Sequence, residues 1–548
     1  MKSSMSSFAE AILLQKYSHE RKDGSKETWE EVAERVSRTV LKSVGAPKSL
    51  IEQTKQYIIE RKFIPGGRYL YASGRPLHQV NNCLMFRAED SREGWADHMH
   101  KHAMGLMTGA GIGTDYSHIR SEGKLIRKTG GFATGPLSLM QATNELGRAV
   151  MQGGSRRSAL WAGLSWRHPD VMKFITMKNW TPEVRSMKAK DFNFPATLDM
   201  TNISVQLDDE FFEAYHDEKH VHNSHASAVY WTVMERMLKT GEPGFSVDTG
   251  KNRKETLRNA CTELTSEDDS DVCNLGSINL ANISDTLEMN SVVECATAML
   301  LAGTVYSDVP YSKVDTVRTK NRRLGLGLMG IHEWLLSHGK KYGPDADLDK
   351  YLEIYTDSTK YAEQYAKKWD LSCPVKTRAI APTGSISIIS ETSSGIEPLF
   401  CVAYKRRYLK GNVWNYQYVI DPTAKRLVES GVKPESIEDA YVLAEDVERR
   451  LAFQAHVQKY VDHAISSTIN LPQWGTEPNN ADTIQKFGKA FMKYLPQLRG
   501  LTTYPDAARS GQPLSAVSWH TAIKHQGEVL IEAGDICSIS GKGGSCGS

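Results

Sequence analysis

Helical segments and short apolar segments alternate along most of the chain after residue 109. Residues 135–152 carry apolar side chains at helical spacing, whereas residues 159–166 and 201–207 are short apolar runs. Further strand candidates between helices are 377–384, 385–390 and 466–472. Such alternation is typical of α/β proteins, in which crossover helices bury parallel strands. The sequence therefore predicts a mixed α/β fold.

The N-terminal part is expected to be helical. Ser7 and Thr28 are candidate N-caps of two helices, and residues 49–62 follow with helical spacing of their apolar side chains. Proline and glycine then interrupt the pattern at 63–76. We divide the chain into a helical region (1–75), an α/β region (76–513) and a C-terminal helix with a Gly- and Ser-rich tail (514–548).

The charge balance is nearly even. Lys and Arg number 67 against 65 Asp and Glu, a formal net charge of +2. This balance argues neither for nor against a polyanion, and we expect no nucleic-acid partner. No apolar run approaches the roughly 18–20 residues of a membrane span. Glu10 interrupts the short N-terminal apolar patch, so we expect no signal peptide, no membrane association and a cytoplasmic location.

The eight cysteines are sparse, and none lies in a CxxC pair. Zinc-ribbon and thioredoxin-type sites therefore lack their basic signature. In a reducing compartment the thiols should be free unless a catalytic cycle oxidises them.

A glycine motif and a pair of histidines are interpreted as structural features instead of binding sites. Gly325, Gly327 and Gly330 match GxGxxG, but a polar and basic segment precedes them instead of the apolar strand of a dinucleotide site. Close helix packing or a turn is therefore expected. His98 and His102 share one helix face, yet no acidic residue or cysteine completes a metal site, and we expect a helix surface. No metal site is predicted.

The segment NACTE places Asn259, Cys261 and Glu263 at alternate positions. In an extended loop these side chains share one face. A carboxylate beside a thiol raises the thiol pKa, which disfavours a thiolate nucleophile. The arrangement suits a thiol that donates a hydrogen atom beside a base for a substrate hydroxyl, although an ordinary loop cysteine remains the alternative.

Two loops are candidate phosphate-binding segments. Residues 381–389 place hydroxyl side chains and Gly384 at a predicted strand end, where backbone N–H groups can bind phosphate. In residues 153–159, flexible glycines precede Arg156 and Arg157. An ordinary turn and a solvated basic loop are the respective alternatives.

Taken in order, these segments resemble the catalytic subunit of ribonucleotide reductase from about residue 8 to residue 513. The similarity lies in NNCLMF, GAGIGTDYSHIRSEGKLIRKTGGFATGP, QGGSRRSA, NACTE, CNLGSINL, NRRLGLGLMG, APTGSIS and LTTYPDAARSGQPL. The resemblance implies a ten-stranded α/β barrel of two five-stranded parallel halves, with the Cys261 loop at its centre. It also implies reduction of ribonucleotides, as di- or triphosphates, to deoxyribonucleotides.

The resemblance assigns a role to each residue of the central set. Cys261 would carry the thiyl radical that removes the 3′ hydrogen, Glu263 would accept the 3′-hydroxyl proton, and Asn259 would hydrogen-bond the ribose. Cys83 and Cys273 would reduce the 2′ position and form a disulfide, since loss of a hydroxyl requires the two electrons that a dithiol supplies. A catalytically inactive nucleotide-binding regulator on the same fold is an alternative, but the intact set argues against it.

The resemblance also implies which residues bind substrate and effector, and which thiols exchange electrons with an external reductant. Thr383, Gly384 and Ser385 would bind the substrate phosphates. A dNTP or ATP effector would contact the residues Asp90, Arg120 and Arg127, with Arg156 in the loop that relays the signal. Helix 136–151 would form a homodimer interface. Cys537 and Cys546 would re-reduce the active site and pass electrons from a thioredoxin- or glutaredoxin-type reductant, although they lie farther apart than is usual. Cys295, Cys373 and Cys401 match no catalytic position and are expected to be buried.

The radical source distinguishes the classes of this family. Class I subunits resemble one another in two adjacent tyrosines that relay a radical from a separate metal-containing subunit. Here only Tyr504 is present, between Thr503 and Pro505. The PGGRYL and PDAARSGQPL segments look like class II, which uses adenosylcobalamin and no partner subunit. The alternative is a compact class I-type chain that binds no cofactor, receives its radical from a partner subunit and uses Tyr504 as relay.

Overall fold

The computed structural model describes residues 5–81, 83–150, 158–191, 193–410, 413–506, 508, 514–526 and 528–531. These residues form two compact units. The larger unit contains the described residues up to 400 and from 438 to 508, and the smaller one those from 401 to 437 and from 514 to 531.

The strands are, in chain order, β1 (Phe63–Pro65), β2 (Cys83–Arg87), β3 (Gly111–Asp115), β4 (Leu160–Ser165), β5 (Thr201–Asp208), β6 (Gly244–Asp248), β7 (Leu257–Arg258), β8 (Thr265–Ser266), β9 (Asp271–Asn279), β10 (Leu324–Met329), β11 (Ala403–Lys410), β12 (Val413–Ile420), β13 (Thr468–Leu471), β14 (Gly500–Pro505), β15 (Leu514–Ala516) and β16 (Val529–Ile531).

The α-helices are α1 (Ser7–Lys16), α2 (Trp29–Lys42), α3 (Lys48–Ile59), α4 (Gly67–Ala72), α5 (Arg92–Met107), α6 (Gly135–Ala149), α7 (Val171–Thr176), α8 (Pro182–Lys190), α9 (Asp209–His216), α10 (Asn223–Thr240), α11 (Thr286–Tyr306), α12 (Ser312–Asn321), α13 (Ile331–Ser337), α14 (Ala346–Thr356), α15 (Ser358–Lys368), α16 (Ile386–Ser390), α17 (Pro422–Glu429), α18 (Ala440–Ala444), α19 (Val447–Gln458), α20 (Ile484–Tyr494) and α21 (Trp519–Lys524).

Ten strands of the larger unit form one sheet. Nine of them belong to two parallel groups, and β1 pairs antiparallel with β9. Strands β2 to β6 pair in parallel in sequence order. In the second group, β9 pairs in parallel with β10, and β13 with β14. Antiparallel pairing of β2 with β9 and of β6 with β14 joins the two groups. The predicted α/β class with a ten-stranded assembly is confirmed.

Two single-residue bridges continue the second parallel group. Leu326 bridges Arg378, and Ile380 bridges Ile465 just before β13. The predicted strand at 377–384 is therefore wrong, since this segment contributes only isolated bridges. Thr383 has a left-handed φ of +52°, which interrupts an extended chain.

The predicted strand at 385–390 is also wrong, because these residues form the short helix α16. The Ser387 N–H donates to the carbonyl of Thr383 at 2.9 Å and starts this turn. Alternating Ser and Ile side chains therefore did not decide the backbone conformation here. Other expectations hold: α6, β4, β5 and β13 lie where helical or apolar patterns predict them.

The helical N-terminal region is confirmed between residues 7 and 59. Thr28 caps α2 and, with Glu31, forms a capping box. Ser6, and not Ser7, caps α1, because the Ser6 side chain accepts a hydrogen bond from the N–H of Ala9. The predicted boundaries at residues 75 and 513 remain predictions.

The glycines of GLGLMG pack against neighbouring chain segments. Gly325 and Gly327 lie inside buried strand β10, and a Cβ added at Gly327 would lie 2.6 Å from the carbonyl oxygen of Ala379. Gly330 has a left-handed φ of +72° at the start of α13. The expectation of close packing is confirmed, although the neighbour is an extended segment instead of a helix.

The surface location predicted for His98 and His102 is wrong, since both side chains are buried. His98 Nε2 lies 3.2 Å from the Tyr116 hydroxyl, and His102 Nε2 lies 3.3 Å from the Thr114 hydroxyl. Burial lowers the pKa of His102 to about 4 and that of His98 well below its usual value. These are neutral core histidines, because this face of α5 packs on β3.

Two further observations concern the described residues as a set. No group of His, Cys, Asp or Glu within the described ranges is arranged to hold a metal ion. No helix in the described part of the chain is long and apolar enough to cross a membrane. Cys295 and Cys401 are buried as expected, but Cys373 is exposed, so that prediction is wrong for Cys373.

Candidate active site

Cys261 lies at the tip of a short hairpin formed by β7 and β8. The Thr262 N–H donates to the Asn259 carbonyl at 3.1 Å, and Thr262 has a left-handed φ of +67°. This tight turn leaves Cys261 exposed. The hairpin lies against β3 at Gly113, where an added Cβ would be only 2.0 Å from the carbonyl oxygen of Arg258. Glycine at 113 is therefore required for this close approach.

The base of the hairpin is held by buried ion pairs. Arg258 is 0% exposed, and its guanidinium lies 2.6 Å from Asp248. Glu255 pairs with Lys376 at 2.5 Å and with Arg499 at 3.3 Å. Buried charges are tolerated when they are paired and hydrogen-bonded in this way. The network ties the hairpin to β6, to Arg499 just before β14 and to Lys376.

Glu263 is a buried carboxyl group with one unpaired oxygen. Its side chain is 1% exposed, and Oε2 has no hydrogen-bond partner among the described residues. Burial raises the pKa of Glu263 to about 7, and a hydrogen bond from Asn259 opposes part of this rise. A carboxyl group with such a pKa can accept or release a proton near neutral pH.

Asn259 connects three parts of the site. Its Oδ1 accepts the N–H of Leu264 at 3.0 Å, which stabilises the hairpin. Its Nδ2 donates to Cys83 Sγ at 3.2 Å. Together with the hydrogen bond to Glu263, these contacts place the amide between the carboxyl group and a thiol.

Cys83 and Cys273 face each other across the antiparallel pair of β2 and β9. Facing residues in such a pair have Cα atoms about 4.5–5.5 Å apart, which is within disulfide range. Both are buried and reduced, and burial raises the pKa of Cys273 well above its usual value. A Cβ added at Gly325 would lie 3.3 Å from Cys273 Sγ, so glycine leaves room beside this thiol.

One cavity of about 460 Å³ unites the residues singled out in the sequence. A volume of roughly 300–1,000 Å³ is usual for small-molecule sites. Its lining includes Cys83, Cys261, Glu263, Thr383, Gly384 and Ser385. Asn259 and Cys273 complete this set through the contacts described above. Residues from segments far apart in sequence thus share one site.

The loop at 383–385 is held from two sides. Thr383 Oγ1 accepts the N–H of Gly395 at 2.9 Å, and the Tyr17 hydroxyl donates to Ser385 Oγ at 2.8 Å. Around Gly384 there is open space, since an added Cβ would meet no atom within 4 Å. The loop therefore presents backbone and hydroxyl groups to the cavity.

Sequence reasoning missed several lining residues. Lys16, Tyr17, Gly67, Arg68 and Ser277 also line the cavity. Arg68 had a weak signal, since it directly follows Gly66 and Gly67 in PGGR. Lys16 and Tyr17 had none, because they end an ordinary helix far from every recognised motif.

The proposed effector residues lie outside the residues that line this cavity. Arg120 and Asp90 form an ion pair at 2.7 Å, and Arg127 is exposed. Arg156 and the tail thiols Cys537 and Cys546 lie outside the described residues. Their roles remain predictions.

Tyr504 lies on β14 and is partly buried. Side chains alternate along a strand, so Tyr504 shares a face with Gly500. A Cβ added at Gly500 would lie 3.9 Å from Thr262 Oγ1. The Tyr504 face of β14 is thus the one that borders the Cys261 hairpin.

The fold and this thiol–carboxyl site define a class of protein. A family model described as "Ribonucleotide reductase, barrel domain" matches residues 81–229, 218–364 and 375–495. The match covers most of the chain, including the Cys261 hairpin, strands β2 to β6 and strands β9, β10 and β13. The chain belongs to this family of oxidoreductases, as its motifs indicated.

Individual relatives indicate a subgroup. The vitamin B12-dependent ribonucleoside-diphosphate reductase of Thermoplasma acidophilum is 26% identical over 95% of this chain and 73% of its own length. The enzyme of the same name from Mycobacterium tuberculosis (strain CDC 1551 / Oshkosh) is 26% identical over 93% of this chain and 80% of its own length. A putative adenosylcobalamin-dependent ribonucleoside-triphosphate reductase of Mycobacterium phage D29 is 26% identical over 79% of this chain and 72% of its own length.

Proposed function

We propose that the chain is an adenosylcobalamin-dependent reductase of ribonucleoside di- or triphosphates that works through a thiyl radical on Cys261. The observation that carries this proposal is the shared cavity. It brings together an exposed thiol, a buried carboxyl group with an unpaired oxygen and Cys83, whose facing partner Cys273 lies directly behind the lining.

The residues of the cavity account for each proton and electron. The Cys261 thiyl radical removes the 3′ hydrogen atom, while Glu263 accepts the 3′-hydroxyl proton. The 2′-hydroxyl leaves as water with a proton from the thiol pair. Cys83 and Cys273 supply two electrons and become a disulfide, and the second thiol hydrogen goes to C2′. Glu263 then returns its proton to the 3′ oxygen, and Cys261 returns the 3′ hydrogen. The net change is one hydroxyl replaced by hydrogen, one dithiol oxidised and one water formed.

The pKa of Glu263 suits this role. A value of about 7 allows the carboxylate to form at neutral pH while the group remains a useful proton acceptor. Asn259 hydrogen-bonds both Glu263 and Cys83, so it can orient the base and a reducing thiol together.

The surroundings of Cys261 fit adenosylcobalamin. Gly109 and Gly111 line the cavity, and a Cβ at Gly111 would lie 3.1 Å from the Cβ of Ala260 beside Cys261. Cys261 itself is exposed beside this wall, so its thiol is accessible to a bound cofactor, and the vitamin B12-dependent relatives support this group. When bound, adenosylcobalamin supplies the unpaired electron by homolysis of its cobalt–carbon bond.

The second candidate is a class I-type chain that receives its radical from a separate subunit. The face of β14 that carries Tyr504 borders the Cys261 hairpin, which favours Tyr504 as a relay. The names of the relatives favour the first candidate.

Regulation and re-reduction complete the proposal. An effector dNTP or ATP binds near Asp90, Arg120 and Arg127, with Arg156 in the relaying loop, and helix α6 contributes to a homodimer. Cys537 and Cys546 exchange electrons between the active-site disulfide and a thioredoxin- or glutaredoxin-type protein.

A turnover assay of the full chain tests the proposal. Dithiothreitol, a ribonucleotide mixture and a dNTP effector are supplied with and without adenosylcobalamin. Deoxynucleotide formed only with the cofactor is the expected result. Absence of product from folded protein that binds nucleotides would reject cofactor dependence, and Tyr504→Phe would then test the relay.

A further inference from the structure

The C-terminal end of α1 is part of the wall of the nucleotide cavity. Lys16 and Tyr17 both line it. Tyr17 is buried and donates its hydroxyl proton to Ser385, whereas Lys16 is exposed. Helix α1 is thus joined to the cavity by one buried polar contact and one accessible charge.

A series of contacts connects this wall to the thiols. A Cβ added at Gly67 would lie 2.8 Å from the Tyr17 hydroxyl, and one at Gly109 would lie 2.5 Å from the guanidinium of neighbouring Arg68. A Cβ at Gly111 would lie 3.5 Å from Cys83 Sγ. The lining therefore runs continuously from Ser385 and Tyr17, past Arg68, to the thiols.

The charges of the lining favour a polyanion. Lys16 and Arg68 are its cations, and Glu263 is the acidic residue within the described lining. The raised pKa of Glu263 leaves that carboxyl group largely protonated below about pH 7. Arg68 donates to the carbonyl oxygens of Gln79 and Thr108, so it is held in the wall. Lys16 is the exposed cation of the lining, and it directly precedes Tyr17, which contacts Ser385 in the 383–385 loop.

We propose that Lys16 binds the terminal phosphate of the substrate and that Tyr17 is a positioning residue that orients Ser385 toward the phosphates. This inference rests on the proposed function, because it assumes a nucleotide in the cavity. It assigns the N-terminal helix to substrate binding. It also makes the phosphate chain length, not the base, the property that α1 senses.

The chemistry of the two side chains explains why Lys16 and Tyr17 have different roles. A lysine ammonium is a mobile point charge that can reach a terminal phosphate without fixed geometry. The buried Tyr17 hydroxyl contributes one hydrogen bond, which holds the Ser385 side chain in one orientation. Removing the ammonium should therefore weaken binding of nucleotides with more than one phosphate, whereas removing the hydroxyl should loosen the loop itself.

Binding of CMP, CDP and CTP to the full chain, measured by equilibrium dialysis without adenosylcobalamin, tests the role of Lys16. Lys16→Gln should raise the Kd for CDP and CTP about tenfold, as expected for the loss of a charge-assisted contact. The Kd for CMP should change less than threefold, about 0.65 kcal/mol. Lys16→Arg should restore most of the affinity. Lys22→Gln, an exposed lysine of the same region outside the lining, is the matched control and should have no effect.

Equal loss for all three nucleotides, or no loss for any, would overturn the assignment of Lys16. Wild-type protein that binds none of them would contradict the proposed function instead. The two failures are therefore distinguishable without any turnover.

Steady-state kinetics test Tyr17. Tyr17→Phe keeps the ring that packs beside Gly67 and removes only the hydroxyl. We expect KM for CDP and CTP to rise about threefold to tenfold with kcat unchanged, because one hydrogen bond to the phosphate-binding loop is lost. A fall in kcat at unchanged KM would show that Tyr17 does not act through phosphate binding.

Discussion

The base and the tip of the 257–266 hairpin differ in whether their charged groups form ion pairs. At the base, Arg258 contacts Asp248 and the carbonyl oxygens of Val247 and Arg499, although it is fully buried. At the tip, Glu263 keeps an oxygen without a partner among the described residues, and Cys261 is exposed. The base is thus joined by ion pairs, although Arg258 Nε and Asp248 Oδ2 lack a hydrogen-bond partner among the described residues, whereas the tip is open.

The base therefore positions the hairpin, whereas the tip carries the groups that react. Paired charges at the base hold the hairpin in one place, because each buried charge has little freedom to move away from its partners. The unpaired Glu263 oxygen at the tip is costly to bury, and a hydrogen bond from a substrate hydroxyl would offset this cost. Because the base is rigid, the hairpin can keep the unpaired Glu263 oxygen buried at its tip.

The substitution with the largest expected effect removes the reactive thiol at the tip of the hairpin. Cys261→Ser should abolish detectable turnover, because a hydroxyl cannot replace the thiol as hydrogen-atom donor. Its free energy of unfolding should change by less than about 0.5 kcal/mol, since the side chain is exposed. Product assays and urea denaturation measure the two quantities. Cys373→Ser, at another exposed cysteine, is the control and should keep full activity.

Glu263→Gln tests the base at the tip. The rate should fall about 10²- to 10⁴-fold, the usual contribution of a positioned acid or base. In the wild type, kcat/KM should rise as the pH passes about 7, because the carboxylate then forms. The variant should lack this limb of the pH profile, and an identical limb in both proteins would contradict the role.

Glu263→Gln should also change how the stability of the fold depends on pH. A carboxyl group whose folded pKa is raised stabilises the fold below its ordinary pKa and loses that contribution as the pH rises through about 7. Wild-type stability should therefore decline between about pH 4.5 and pH 7 relative to Glu263→Gln. Urea midpoints across this pH range measure the difference.

Arg258→Met breaks the pairing at the base. Leaving Asp248 buried without this partner should lower the free energy of unfolding by about 3–5 kcal/mol. Arg253→Met, at an exposed position of the preceding loop, should change it by less than about 0.5 kcal/mol. A loss near 1 kcal/mol for Arg258→Met would mean that the base is not the rigid end.

The substitution with the smallest expected effect removes one hydroxyl group at the base of the hairpin. Thr265 donates to Glu255 at 2.9 Å, and Thr265→Val removes this hydrogen bond while Lys376 and Arg499 still pair with the carboxylate. A loss of about 1.5 kcal/mol is expected. Thr265→Ser retains the hydroxyl and should recover most of the loss in the same denaturation assay.

Local patterns predicted the parts of this protein that depend on local interactions. The helical spacing of α2 and α6 and the apolar runs of β4 and β5 gave the α/β class. Local patterns failed at residues 385–390, where a left-handed Thr383 and a hydrogen bond to Ser387 produced a helix. They failed again at His98 and His102, because burial depends on which element packs on a helix face.

The sequence by itself determined the chemistry available to the protein: the alternation of Asn259, Cys261 and Glu263, and the motifs that place the chain in its family. Only the tertiary structure decided where that chemistry operates. It set Cys83 opposite Cys273, raised the pKa of Glu263 by burial, and brought Tyr17 to Ser385 across 368 positions of sequence. Residue types and short spacings are written in the chain, whereas burial and long-range contacts arise only when distant segments pack together.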